Sequence, residues 1–127
     1  MGNTVVPEHW AEFYKSTHIP AAVRAGDRLY VTGHAGEDSD GNFSDDPETQ
    51  IRQTFRNIGV TLSAAGASWA DVVELNSYHV GLQAQAGILL SVAGEFLRDP
   101  YPAWTAVGVT ELFDEGAVFE ISCVAEL

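Results

Sequence analysis

Ala22-Val23-Arg24-Ala25-Gly26-Asp27-Arg28-Leu29-Tyr30-Val31-Thr32-Gly33-His34 reads as a β-hairpin. Leu29, Val31 and Gly33 alternate with Tyr30, Thr32 and His34, the period-two pattern of a half-buried strand over residues 29–34. The Gly26-Asp27 step fits a tight turn from a short strand around residues 21–24, because glycine takes a positive φ without a steric penalty. Downstream, Asp46 caps a helix and Pro47 occupies its first position. Ile51, Phe55, Ile58, Leu62 and Ala65 follow at spacings of three and four, drawing one apolar stripe, and Gly66 ends it. Ser68-Trp69-Ala70-Asp71 opens the next unit, a strand over residues 72–80. A second helix is predicted over residues 83–97, with Ile88, Leu89, Val92 and Phe96 inward and Asp99-Pro100 as its stop. Two strands, residues 103–109 and 117–125, close the chain, and Glu115-Gly116 turns between them. The order β-β, α-β-α, β-β predicts an α+β sandwich: a mixed sheet with two helices on one face.

The chain has 127 residues, 46% of them apolar, enough for a single domain over residues 1–127 with a sizeable core. Residues 1–19 have no clear period; His9-Trp10-Ala11-Glu12-Phe13-Tyr14 fits a short helical turn or an irregular arm. The N-terminal residues carry neither the basic nor the apolar region of a signal peptide, and no apolar run approaches the roughly 20 residues of a membrane span. One cysteine, Cys123, excludes an internal disulfide and suits a reducing compartment. A cytoplasmic protein without a membrane partner is the expectation.

The formal net charge is −12, from 18 acidic and 6 basic residues. Polyanions are gripped by clustered Lys and Arg that release counterions, and the few basic residues here are scattered. Nucleic acid is therefore not an expected partner. Residues 37–48 are acidic and rich in turn formers, and Asp38-x-Asp40 hints at a calcium loop. An EF-hand needs glycine at loop position six and glutamate at position twelve; here Gly41 stands fourth and Thr49 twelfth, so the stretch reads as a solvated loop. No Cys-x-x-Cys or His-x-x-x-His spacing, phosphate loop or nucleophile elbow occurs. No metal and no cofactor are expected.

The hairpin 22–34, the segment Pro102-Ala103-Trp104-Thr105-Ala106-Val107-Gly108-Val109 and Phe119-Glu120-Ile121 together resemble the RidA family, also called YjgF/YER057c/UK114. The resemblance covers the chain from about residue 20. It implies the chorismate-mutase-like fold, a homotrimer, and small-molecule sites in clefts between subunits. Its best-studied branch hydrolyses enamines and imines derived from amino acids. Carried over position by position, Glu120 matches the glutamate that positions the attacking water. Gly33 matches a glycine whose backbone donates to substrate. Thr32 and Thr105 keep hydroxyls where that branch has Ser or Thr. His34 replaces a glutamine, Ala106 a frequent Cys or Thr, and Ile19 and Ala21 a Tyr and a Gln.

The largest departure is Trp104, which stands where that branch places a carboxylate-binding arginine. A guanidinium holds a carboxylate through two parallel charge-assisted hydrogen bonds, and an indole does not. Trp104 can stack on a flat or cationic ligand and donate one hydrogen bond, or it can fill the void and close the cleft. Either Glu120 or His34 could act as the base. The expected catalytic set is Glu120, His34 and Thr105, with Trp104, Thr32 and Gly33 binding substrate. The functional expectation is a RidA-like hydrolase of an enamine, imine or related metabolite other than the usual α-imino acids. Its rivals are a non-catalytic trimeric binder of a small ligand and a trimeric protein-interaction module.

Overall fold

A computed structural model describes residues 2–127. In chain order the elements are β1 (Thr4–Val5), α1 (Ala11–Thr17), β2 (Ala22–Ala25), β3 (Arg28–His34), α2 (Pro47–Ala64), β4 (Val72–His79), α3 (Leu82–Ala93), β5 (Ala103–Gly108) and β6 (Phe119–Glu126). The six strands form one sheet in the order β1-β2-β3-β6-β4-β5. The β4–β5 pair is parallel and the others antiparallel. The sheet is therefore mixed, as the resemblance implies, and α3 supplies the crossover that a parallel pair needs.

Alternation along β6 divides the two faces. Phe119, Ile121, Cys123 and Ala125 are buried toward the helices, while Glu120, Ser122 and Val124 lie half-buried on the open face. The α2 stripe of Ile51, Phe55, Ile58 and Leu62 is fully buried against the first set. Phe55 stacks on Phe96 at 5.1 Å and on Phe119 at 6.2 Å, joining the two long helical segments to the sheet. Asp46 caps α2 by accepting the Thr49 backbone N–H, and Pro47 is the first helical residue. Ser68 and Asp71 form a reciprocal capping box over the 3₁₀ turn Trp69–Asp71.

The hairpin turn is a two-residue Gly26-Asp27 loop between paired Ala25 and Arg28, with Gly26 at φ +62°. Three boundaries differ from the sequence reading. Residues 4–17 carry more structure than a helical turn or an arm: β1 adds an edge strand to β2, and a 3₁₀ turn, Glu8–Trp10, leads into α1. The second long helix ends at Ala93 rather than residue 97, yet Phe96 and Leu97 still pack on the core. The last strand starts at Phe119 rather than 117, because the Val118 N–H donates to the Gln50 side chain instead of extending the ladder with β3.

One irregularity decides where side chains point. In the β3–β6 pairing Val31 faces Cys123 and His34 faces Ile121, so Thr32 and Gly33 together oppose Ser122. This bulge shifts the alternation by one residue. Leu29, Val31 and His34 are all buried toward the helices, whereas Thr32 and Gly33 are left half-buried.

Candidate functional site

A cavity of about 250 Å³ opens beside the β3 bulge. Thr32, Gly33 and Glu120 form its floor. His9, Trp10 and Phe13 wall it from the N-terminal arm, Glu37 and Phe43 from the acidic loop, and Phe113 and Asp114 from the segment after β5. Glu120 lies directly over Gly33: a Cβ at that position would coincide with Glu120 Oε1. Only glycine permits this approach of a carboxylate to the β3 backbone.

The polar character of the cavity is one-sided. Burial raises the Glu120 carboxyl above its ordinary range, and nearby Asp114 adds to the shift. Burial also raises Glu37, and Asp114 and Glu120 reinforce it against hydrogen bonds from its own backbone and from Asn57. Apart from the His9 ring, the side-chain donors of the wall already have partners. Trp10 Nε1–H donates to the Ile19 carbonyl at 2.8 Å. The Thr32 hydroxyl donates to the Pro20 carbonyl at 2.7 Å, which leaves its lone pairs for a ligand. Among the described residues, Glu120 and Asp114 receive no side-chain hydrogen bond, and no lysine or arginine lines the cavity.

Of the residues picked out from sequence, Thr32, Gly33 and Glu120 meet here. His34 does not line the cavity. The bulge turns it inward, where it is 1% exposed beneath Trp10 at 4.4 Å between ring centres. Its Nδ1–H donates to the Thr32 carbonyl and its Nε2 accepts from the Thr61 hydroxyl, which fixes a neutral tautomer. Burial lowers its pKa to about 4. A ring with both nitrogens engaged and so low a pKa is poorly placed to take a proton from a substrate.

Trp104 and Thr105 lie on β5, the edge strand beyond β4. Trp104 is in register with Leu75 on the helix-facing side, and Thr105 with Asn76 on the open face. Trp104 packs against the core and its Nε1–H donates to Ser77 Oγ at 2.9 Å. Ser77 in turn donates to His79 Nε2, His79 Nδ1–H donates to Gln85 Oε1, and Gln85 Nε2 donates to the carbonyls of Val80 and Val118. Every group in this chain is satisfied, so the indole N–H is engaged inside the subunit. Cys123 is buried and its thiol is pushed up to about 12, which makes it an inert core residue.

Sequence reasoning missed Glu37, Asp114, Phe113 and Gln50. Gln50 is 2% exposed and does not touch a ligand; it fixes the walls. Its Nε2 donates to the carbonyls of Ser44 and Gly116, and its Oε1 accepts from Val118. A signal was present: Gln50, Thr54 and Thr61 make a polar row at helical spacing beside the apolar stripe, and all three are buried. Among the described residues no group of three or more His, Cys, Asp or Glu converges to hold a metal ion.

The same architecture recurs among known proteins. The sequence pattern of the family described as Endoribonuclease L-PSP matches residues 11–127. The chain is 38% identical over 124 residues to the RutC family protein YjgH of Escherichia coli K12, covering 97% of this chain and 93% of that protein. A solved structure titled Protein YJGH superposes with a TM-score of 0.88, covering 98% of this chain and 95% of that one. A protein of Dermatophagoides farinae named 2-iminobutanoate/2-iminopropanoate deaminase is 31% identical over 93 residues, 72% of each chain. The mixed sheet, the helices on one face and these matches together define a RidA/YjgF-type α+β protein. The chain belongs to the RidA/YjgF family.

Proposed function

We propose that the protein is a RidA-type hydrolase of a small imine or enamine, with Glu120 as the group that aims and deprotonates water. The observation that carries this reading is the Glu120 carboxylate seated over Gly33 in a walled cavity, its affinity for a proton raised by burial. Water held by Glu120 adds its oxygen to the C=N carbon, the π-electron pair moves to nitrogen, and Glu120 relays the water proton to that nitrogen. Glu120 then carries the carbinolamine hydroxyl proton to the nitrogen; the C–N bond breaks, its electron pair leaves with the amine, and the oxygen lone pair closes the carbonyl. The deaminase name of the Dermatophagoides relative supports this chemistry by kinship. The substrate differs from the α-imino acids of common amino acids, because no lysine or arginine among the described lining residues holds their carboxylate and burial disfavours a charged His9.

The working unit in this reading is a homotrimer. Val23, Tyr30, Val73 and Val107 are exposed on strands, more apolar surface than two helices on the opposite face can cover. Packing that open face against a neighbour would cover these residues and the open-face Thr105 of the β5 edge. RNA is not a ligand in this reading, since phosphate would approach a chain of net charge −12 and a carboxylate-lined cavity.

A second reading, a trimeric binder without turnover, draws on one observation: two of the wall's side-chain donors, Trp10 and Thr32, are engaged and leave only the His9 ring to meet a developing anion. Turnover of imines generated in situ separates the two. Under the hydrolase reading, Glu120→Gln lowers kcat by about a hundredfold or more while the ligand Kd stays within about threefold. Wild-type turnover that survives Glu120→Gln unchanged would remove Glu120 from the chemistry.

A further inference from the structure

The geometry points to an organic cation as the cavity's ligand: a small amine, iminium or amidinium that carries N–H donors, an apolar body and no carboxylate. The inference rests on the same cavity being the site and names what enters it. Its polar surface is mostly acceptors, the Glu37, Asp114 and Glu120 carboxylates and the lone pairs of Thr32, beside one imidazole, His9, whose pKa burial lowers. A carboxylate ligand would meet like charge on several sides, with no arginine or lysine among the described lining residues to answer it. A neutral acceptor would find few donors.

The aromatic wall adds an independent preference. Phe13 stands edge-on to Phe113 at 5.8 Å between ring centres, and Phe43 completes the far side. Ring faces attract a desolvated cation. A bare metal ion is the poorer occupant, because the carboxylates among the described residues do not converge into a ligating group and most of the lining is hydrocarbon. Burial lifts the Glu37 and Glu120 carboxyls, their acidic neighbours add to the lift, and a nearby countercharge would favour their ionised forms. An iminium is also the protonated, more electrophilic form of an imine, so a cation-selective cavity would collect the reactive form of the proposed substrate.

The test is a matched series on the wild-type protein, measured by calorimetry at neutral pH: 2-phenylethylammonium, 2-phenylethanol and phenylacetate. The expected order is ammonium tighter than alcohol by about tenfold, with phenylacetate weaker than both. Phenylacetate binding as tightly as the ammonium, or no binding by any of the three up to about 10 mM, overturns the inference. Glu37→Gln and Asp114→Asn sharpen it: each narrows the ammonium-over-alcohol ratio about threefold and leaves the alcohol Kd unchanged. Because the readout is binding, the outcomes separate. Selective ammonium binding without imine turnover leaves this inference standing and removes the hydrolase; turnover with a preference for phenylacetate does the reverse.

Discussion

Two polar regions of the molecule obey opposite rules. On the helix side of the sheet, the run Trp104–Ser77–His79–Gln85 pairs each donor with one acceptor and ends on backbone carbonyls. His34 and Thr61 close a second such set. On the other side, Glu120 and Asp114 stand in a half-enclosed cavity and receive no side-chain hydrogen bond from the described residues. Buried polar groups are costly when unpaired and nearly neutral when paired. The first region is therefore scaffold, complete within one subunit. The second leaves its carboxylates open to solvent, and it is the region in which the proposed function places a ligand.

Breaking the link between the two regions is expected to have the largest effect. Gln50 bonds both cavity walls to α2, so Gln50→Ala strands the carbonyls of Ser44 and Gly116 and the Val118 N–H. A loss of about 4 kcal/mol in denaturant unfolding is expected. A loss below about 1 kcal/mol would mean that water replaces the amide freely. The next largest effect comes from pH. His34 titrates at its ordinary 6.5 when unfolded and at about 4 when folded, so the unfolded chain binds more protons between those values. Stability falls as pH drops from 6.5 to about 4, by about 3 kcal/mol from this ring. Glu37 and Glu120 are shifted upward and act in the opposite sense, so the readout is the difference between wild type and His34→Gln, whose slope is flatter in that window. Equal slopes would place His34 in contact with water. The smallest effect is Trp104→Phe, which removes one donor to Ser77 and keeps the ring; about 1 kcal/mol is expected. A change in ligand affinity with no change in stability would instead make Trp104 part of the binding surface.

The scaffold was largely legible in the sequence and the site only in its floor. Asp46, Pro47 and the stripe from Ile51 to Leu62 announce α2, since capping and periodicity are local. Glu120, Gly33 and Thr32 were reached through resemblance. His34 was misplaced because period-two alternation sets it beside Tyr30 and Thr32, whereas a bulge over Thr32 and Gly33 turns it to the opposite face. Nothing in the local pattern marks that extra residue. The walls were illegible for another reason. Trp10, Glu37 and Phe113 come from three segments with little regular structure, and their convergence is a property of the folded chain alone.

The construction of those walls bears on how such proteins diversify. Apart from Trp10, Ala35 and Ala117, the side chains of the walls take no part in the buried core, and above the floor of Thr32, Gly33 and Glu120 the strand ladder does not pass through them. A descendant can exchange Phe13, Glu37, Phe43, Phe113 or Asp114 and keep the same folding instructions. Ligand preference and foldability are then inherited as separate traits, and a lineage can change its diet while its skeleton stays fixed.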